Sequence, residues 1–135
     1  MGIKIIGTGS YTPEKVLTNL ELEKLVDTSD DWIRTRTGIV ERHIAAKSET
    51  TSMMGLAAAR KALEMANVAG SELDLIIVST FTGDTPLPST ACHISRQIGA
   101  AEAACFDLAA ACSGVIGGCI PVAKSTSTWS RGIRA

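Results

Sequence analysis

Aromatic side chains are scarce in this 135-residue chain: two Trp, one Tyr and two Phe make up 4% of it. Any core must therefore be built from Ala, Ile, Leu and Val, which a hydrophobic content of 45% supplies. An excess of one charge is missing too, with 13 Lys and Arg against 14 Asp and Glu and the two signs interspersed. No basic stripe points to nucleic acid, and no like-charge block points to a disordered tail. No apolar run is long enough to span a bilayer. Residues 1–7 lack the charged region, apolar core and cleavage site of a secretory signal, and Ile6 stands where a myristoylation motif needs Ser or Thr. Four cysteines occur, none in a C-x-x-C pair. A zinc or dithiol site has little support, and the pattern fits a reducing cytoplasm. These absences point to a cytoplasmic chain of at most one ordinary domain.

What is present alternates between strand and helix. Residues 3–8 read as a buried strand ended by Gly7, Gly9 and the Tyr11-Thr12-Pro13 turn. Asn19 caps a short helix through Val26. Thr28-Ser29-Asp30-Asp31 opens a second short helix, closed by Gly38, and a polar loop with Glu41, Arg42 and His43 follows. A long helix runs from Thr50 or Thr51 to about Asn67, with Met54, Ala57, Ala58, Leu63 and Met65 on its apolar side. Leu75-Ile76-Ile77-Val78, within residues 74–81, has the continuous apolar pattern of a strand covered on both faces. A loop follows over residues 83–88, and Pro88-Ser89 starts a helix to about Gly99. This order argues an α/β layered sheet.

The stretch Ala104-Cys105-Phe106-Asp107-Leu108-Ala109-Ala110-Ala111-Cys112-Ser113-Gly114 then runs from strand through a tight turn toward a helix start, which is the layout of a nucleophile elbow. N–H groups at a helix N-terminus favour a thiolate and can hold an oxyanion. A small buried core cysteine is the competing reading, and it suits Cys92, Cys105 and Cys119 as well. Spacing does not choose between the two for Cys112. Trp32 is likewise open between a ligand-stacking surface and the edge of an amphipathic helix.

Five separated blocks carry a resemblance. They are Ile5-Ile6-Gly7-Thr8-Gly9-Ser10-Tyr11, Asp27-Thr28-Ser29-Asp30-Asp31-Trp32-Ile33, Thr35-Arg36-Thr37-Gly38-Ile39, Glu41-Arg42-His43-Ile44-Ala45, and the elbow from Phe106 to Gly114. In this order they resemble the ketoacyl-ACP synthase III family, condensing enzymes of the thiolase fold that start bacterial fatty-acid synthesis. The resemblance implies a thiolase-like αβαβα fold, N-terminal part only, with a mixed sheet covered by helices. It implies that Cys112 takes an acyl group, typically acetyl, from acyl-CoA, and that malonyl-ACP then condenses with it after losing carbon dioxide. It places Trp32 on the adenine of CoA with Thr28 and Arg36 beside it, and acyl-CoA enters as substrate with no tightly bound cofactor and no metal.

Leu87 falls where the family's dimer loop reaches into a partner's acyl pocket, which implies a homodimer; an ordinary loop anchor between two prolines is the equal alternative. Acyl carrier protein is the implied macromolecular partner, with no nucleic acid and no membrane. The family's second step uses a histidine and an asparagine from its C-terminal half. His43 and His93 do not occupy those positions, so these 135 residues alone are expected to be inactive in condensation.

The resemblance covers residues 3–117 and gives two segments, 1–117 as an incomplete thiolase-like half-domain and 118–135 as an atypical tail. In that tail Pro121 would cost a helix about 3 kcal/mol. A shifted reading frame there would account for the mismatch, as would a deliberate fragment or a misassigned sequence. Two other readings stay open: an inactive N-terminal fragment that pairs with another subunit through an uncovered sheet edge, and a related starter synthase for polyketide or quinolone chains.

Overall fold

The computed structural model describes residues 4–114, so the tail 118–135, Cys119 and most of the helix expected after Cys112 lie outside the described residues. Two compact units are present: residues 12–50, and residues 4–11 together with 51–114.

The smaller unit is organised by hydrogen bonds. β1 (Val16–Thr18) pairs antiparallel with β2 (Glu41–His43), with Leu17 opposite Arg42. Residues 41–43, read from sequence as a loop, are thus a strand. Three polar residues carry no alternating pattern, so only the partner strand reveals them. α1 (Asn19–Leu22) starts one residue earlier than expected and is shorter. Thr18 is its cap: the Thr18 hydroxyl accepts from the Glu21 N–H at 3.3 Å, and the Glu21 carboxylate accepts from the Thr18 N–H at 2.9 Å. Those Thr18 bonds, the backbone one first, hold the Glu21 carboxyl below the usual carboxylate range.

Asn19 is no cap but a buried hub, 1% exposed. Its amide donates to Asp30 Oδ1 at 2.7 Å and to the Ile39 carbonyl at 2.8 Å, while its oxygen accepts from Arg42 Nη2. α2 (Asp30–Thr37) begins at Ser29, whose hydroxyl accepts from the Trp32 N–H at 3.1 Å. It ends at Gly38 with φ of 72°, a left-handed position that glycine occupies without penalty. His43 Nδ1 donates to the Pro13 carbonyl, giving that side chain a packing role.

The larger unit is organised by packing. α3 (Thr51–Ala66) and α4 (Thr90–Ile98) pack on each other, and α4 also packs on β3 (Leu75–Val78) and β4 (Ala104–Asp107). β3 and β4 are parallel, with Ile76 opposite Cys105 and Val78 opposite Asp107. The buried apolar residues of this unit are Leu56, Ala91, Ile94 and Ala100. Gly55 lets α3 approach α4: a Cβ there would stand 2.8 Å from Ile94 Cδ1. Met65, expected on the apolar side, is 66% exposed, and its sulfur accepts from the Thr8 N–H at 3.3 Å.

The expected N-terminal strand is absent among the described residues. Ile5 and Ile6 are exposed, and Gly7 and Gly9 press against the α3 backbone instead of a neighbouring strand. An apolar run becomes a strand only where another strand offers its backbone. Leu75–Val78 is half-buried rather than enclosed on both faces. Both strand senses occur, but in two separate pairs.

Candidate active site

Cys112 sits at the end of β4's continuation. The Leu108 N–H donates to the Val78 carbonyl at 2.8 Å, which extends the parallel ladder one residue past β4. The chain then turns through Ala109 and Ala110 into a 3₁₀ turn, Ala111–Ser113. Ala111 has φ of 44°, a left-handed conformation that costs an L-residue about 1 kcal/mol or more. Cys112, next in the chain, is exposed. Gly114 lies so close to the residue after β3 that a Cβ would stand 1.6 Å from Ser79 Oγ, so only glycine fits. The strand and the turn of the elbow expected from sequence are present, with strain one residue before the thiol; the helix expected after them lies outside the described residues.

The expected oxyanion donors are not arranged as anticipated. The Ser113 N–H donates to the Ala110 carbonyl at 3.1 Å, and the Gly114 N–H to the Ala111 carbonyl. Both groups close the turn on itself because a 3₁₀ turn forms i→i+3 bonds immediately. The other described cysteines, Cys92 and Cys105, are free and half-buried; burial pushes the Cys105 thiol up. Among the described residues, no group of three or more His, Cys, Asp or Glu could hold a metal ion.

Asp107, five residues before Cys112, escaped the sequence reading. Its carboxylate accepts from the Thr90 N–H at 2.7 Å and the Ala91 N–H at 2.9 Å, the first two N–H groups of α4. Ser89 Oγ accepts from the Cys92 N–H at 3.3 Å, so that helix end is closed by two side chains. Asp84 does the same for α3, accepting from the Ser52 N–H at 3.1 Å. Thr90 itself is fully buried, and its hydroxyl has no hydrogen-bond partner.

Leu87 is 86% exposed on the loop before α4. That loop is pinned: Thr85 Oγ1 donates to the Pro88 carbonyl at 3.0 Å and lies 3.1 Å from His93 Nε2. The single hydroxyl proton is committed to Pro88, so His93 donates to Thr85.

In the smaller unit, Trp32 and Thr28 come together with Asp27 and Ser29 around a cavity of about 340 Å³. Trp32 is 51% exposed. The Arg36 guanidinium, one helical turn on, lies 4.6 Å from the indole centroid in a cation–π contact.

Known proteins give this arrangement its context. No family model matches the chain. Among curated proteins it is 52% identical over 128 residues to the Beta-ketoacyl-[acyl-carrier-protein] synthase III of Geobacillus kaustophilus, covering 95% of this chain and 41% of that protein. It is 55% identical over 120 residues to that of Bacillus pumilus, covering 89% and 38%. The crystal structure of 3-oxoacyl-[acyl-carrier-protein] synthase III from Aquifex aeolicus superposes with a TM-score of 0.88 at 51% identity, over 94% of this chain and 41% of that one. The chain thus spans about two fifths of the length of these relatives.

Mixed α/β architecture and this likeness give the described residues the fold seen in the N-terminal part of thiolase-like proteins. Within that class, the chain is a homologue of the N-terminal portion of beta-ketoacyl-ACP synthase III.

Proposed function

We propose that this chain carries the acyl-accepting half of a condensing enzyme that starts fatty-acid synthesis, with Cys112 as nucleophile. One observation carries the reading: an exposed thiol directly follows a left-handed alanine at the end of a parallel strand. Strain of this kind persists where the surrounding structure over-determines it, and it gathers at functional sites. The Cys112 sulfur attacks the thioester carbonyl of an acyl-CoA, a C–S bond forms, and CoA departs as its thiol. Acyl-CoA is a substrate, and no tightly bound cofactor takes part.

Trp32 offers an indole face to the adenine, with Thr28 at the rim of the same cavity and Arg36 as the guanidinium beside it. A base stacking there shares the ring with Arg36 from the opposite face, or displaces it. Leu87 projects toward the acyl pocket of a second protomer in a homodimer, which its exposure permits. Malonyl-ACP is the partner substrate of the second step. The histidine and asparagine implied for that step are not matched by His43 or His93, both engaged in structural contacts. Condensation therefore needs more than the residues present here. No helix among the described residues is long and apolar enough to cross a membrane.

Incubation with acetyl-CoA followed by mass measurement tests the first half-reaction. A gain of one acetyl group, lost in Cys112→Ser, is expected. No cysteine-dependent gain would sink the assignment.

A further inference from the structure

The strained turn before Cys112 needs something to hold it, and Asp107 is placed to do so. A left-handed alanine relaxes unless both flanks are fixed. On the far side, Gly114 is wedged against Ser79. On the near side, the Leu108 N–H bonds to Val78, and one residue earlier the Asp107 carboxylate takes two backbone N–H groups of α4. Those donors sit at the positive end of a nine-residue helix, so the bonds are charge-assisted. The helix is itself locked in the packed part of this unit, with Ala91 and Ile94 buried.

We propose that Asp107 is a positioning residue for Cys112. Its carboxylate clamps the end of β4 to the start of α4 and thereby holds the Ala111 turn that presents the thiol in one orientation. This rests on the reading of Cys112 as nucleophile, but the clamp is observable without any acyl-CoA. Asparagine at 107 keeps the size and one acceptor oxygen but loses the charge and the second acceptor, whereas glutamate keeps the carboxylate.

Hydrogen exchange on the 135-residue chain reads the clamp directly. In Asp107→Asn, amides of residues 108–114 should exchange about tenfold faster, while those of α3 stay as they were. Asp107→Glu should recover part of the protection. Orientation matters more to thioester attack than to simple alkylation. Acetylation of Cys112 by acetyl-CoA should therefore slow about tenfold in Asp107→Asn, with iodoacetamide alkylation unchanged.

Unchanged exchange at 108–114, or an equal rise throughout α3, would overturn the proposal, as would equal slowing of acetylation and alkylation. If the unsubstituted chain is not acetylated, the functional reading fails and exchange alone judges the clamp. Should Asp107→Asn not fold, the unsubstituted chain still decides: the amides of Thr90 and Ala91 and those of 108–114 should open together as denaturant rises. Opening of the elbow with the Thr90 and Ala91 amides still protected would refute it.

Discussion

The two units secure Cys112 and Trp32 by different means. The larger one buries Leu56, Ala91, Ile94 and Ala100 between two helices and a parallel strand pair, and Cys112 is carried on the end of that packed body. The smaller one buries only Ile33 and Pro13 among its apolar residues, and gathers its strands and helices around the amide of Asn19. Apolar packing is non-directional and tolerant in detail, whereas a buried hydrogen-bond hub fails if any partner is lost. The thiol is thus carried by a body packed on hydrocarbon, with the Asp107 bonds tying its strand to that body, and the indole by a unit built on a polar network.

Substitutions can break this contrast. Ile94→Ala should act most strongly, destabilising the larger unit by about 2–5 kcal/mol through lost contacts and a cavity. Chemical denaturation would measure it; a loss under about 1 kcal/mol would show that Ile94 is not central packing. Asn19→Ala should come next, at about 1–3 kcal/mol, because the Ile39 carbonyl and Arg42 lose their partner. Hydrogen exchange would locate that loss in residues 12–50 and leave α4 untouched; a spread into α4 would blur the distinction between the units. Thr18→Ala should cost about 1 kcal/mol by removing the cap of α1, read as faster exchange at Glu21.

Acid sharpens the comparison further. Hydrogen bonding from Asn19, and then from Arg34, holds the Asp30 carboxyl below its ordinary range. A carboxylate depressed in the folded state contributes stability that is fully present above its unfolded pKa of about 3.9 and is lost as pH falls through the lower folded value. The Asn19 side-chain resonance should therefore move on acidification below about pH 4. Asp30→Asn should abolish that movement. Persistence of the same titration in that variant would assign it to another group.

Much of this architecture is legible in local chemistry. Ser29 with Gly38 and Ser89 with Gly99 bracket α2 and α4 because caps act within a single turn of helix. The apolar runs around Ile76 and Phe106 give β3 and β4, and the parallel order follows from the helix between them. The turn that exposes Cys112 is legible through its strand and the small residues that follow it. Features that depend on distant partners were not. Asn19 is indistinguishable from a cap until Asp30, Ile39 and Arg42 close around it. Residues 4–8 have strand chemistry and, among the described residues, no strand beside them. Asp107 and the amides it binds are 16 and 17 residues apart; a lone carboxylate ending an apolar strand is the only local hint.

The Thr85 hydroxyl gives its proton to Pro88, which obliges the imidazole of His93 to be the giver toward Thr85. The loop beneath Leu87 is therefore tied at a carbonyl and at a hydroxyl together, and whatever meets that leucine finds it on a fastened support.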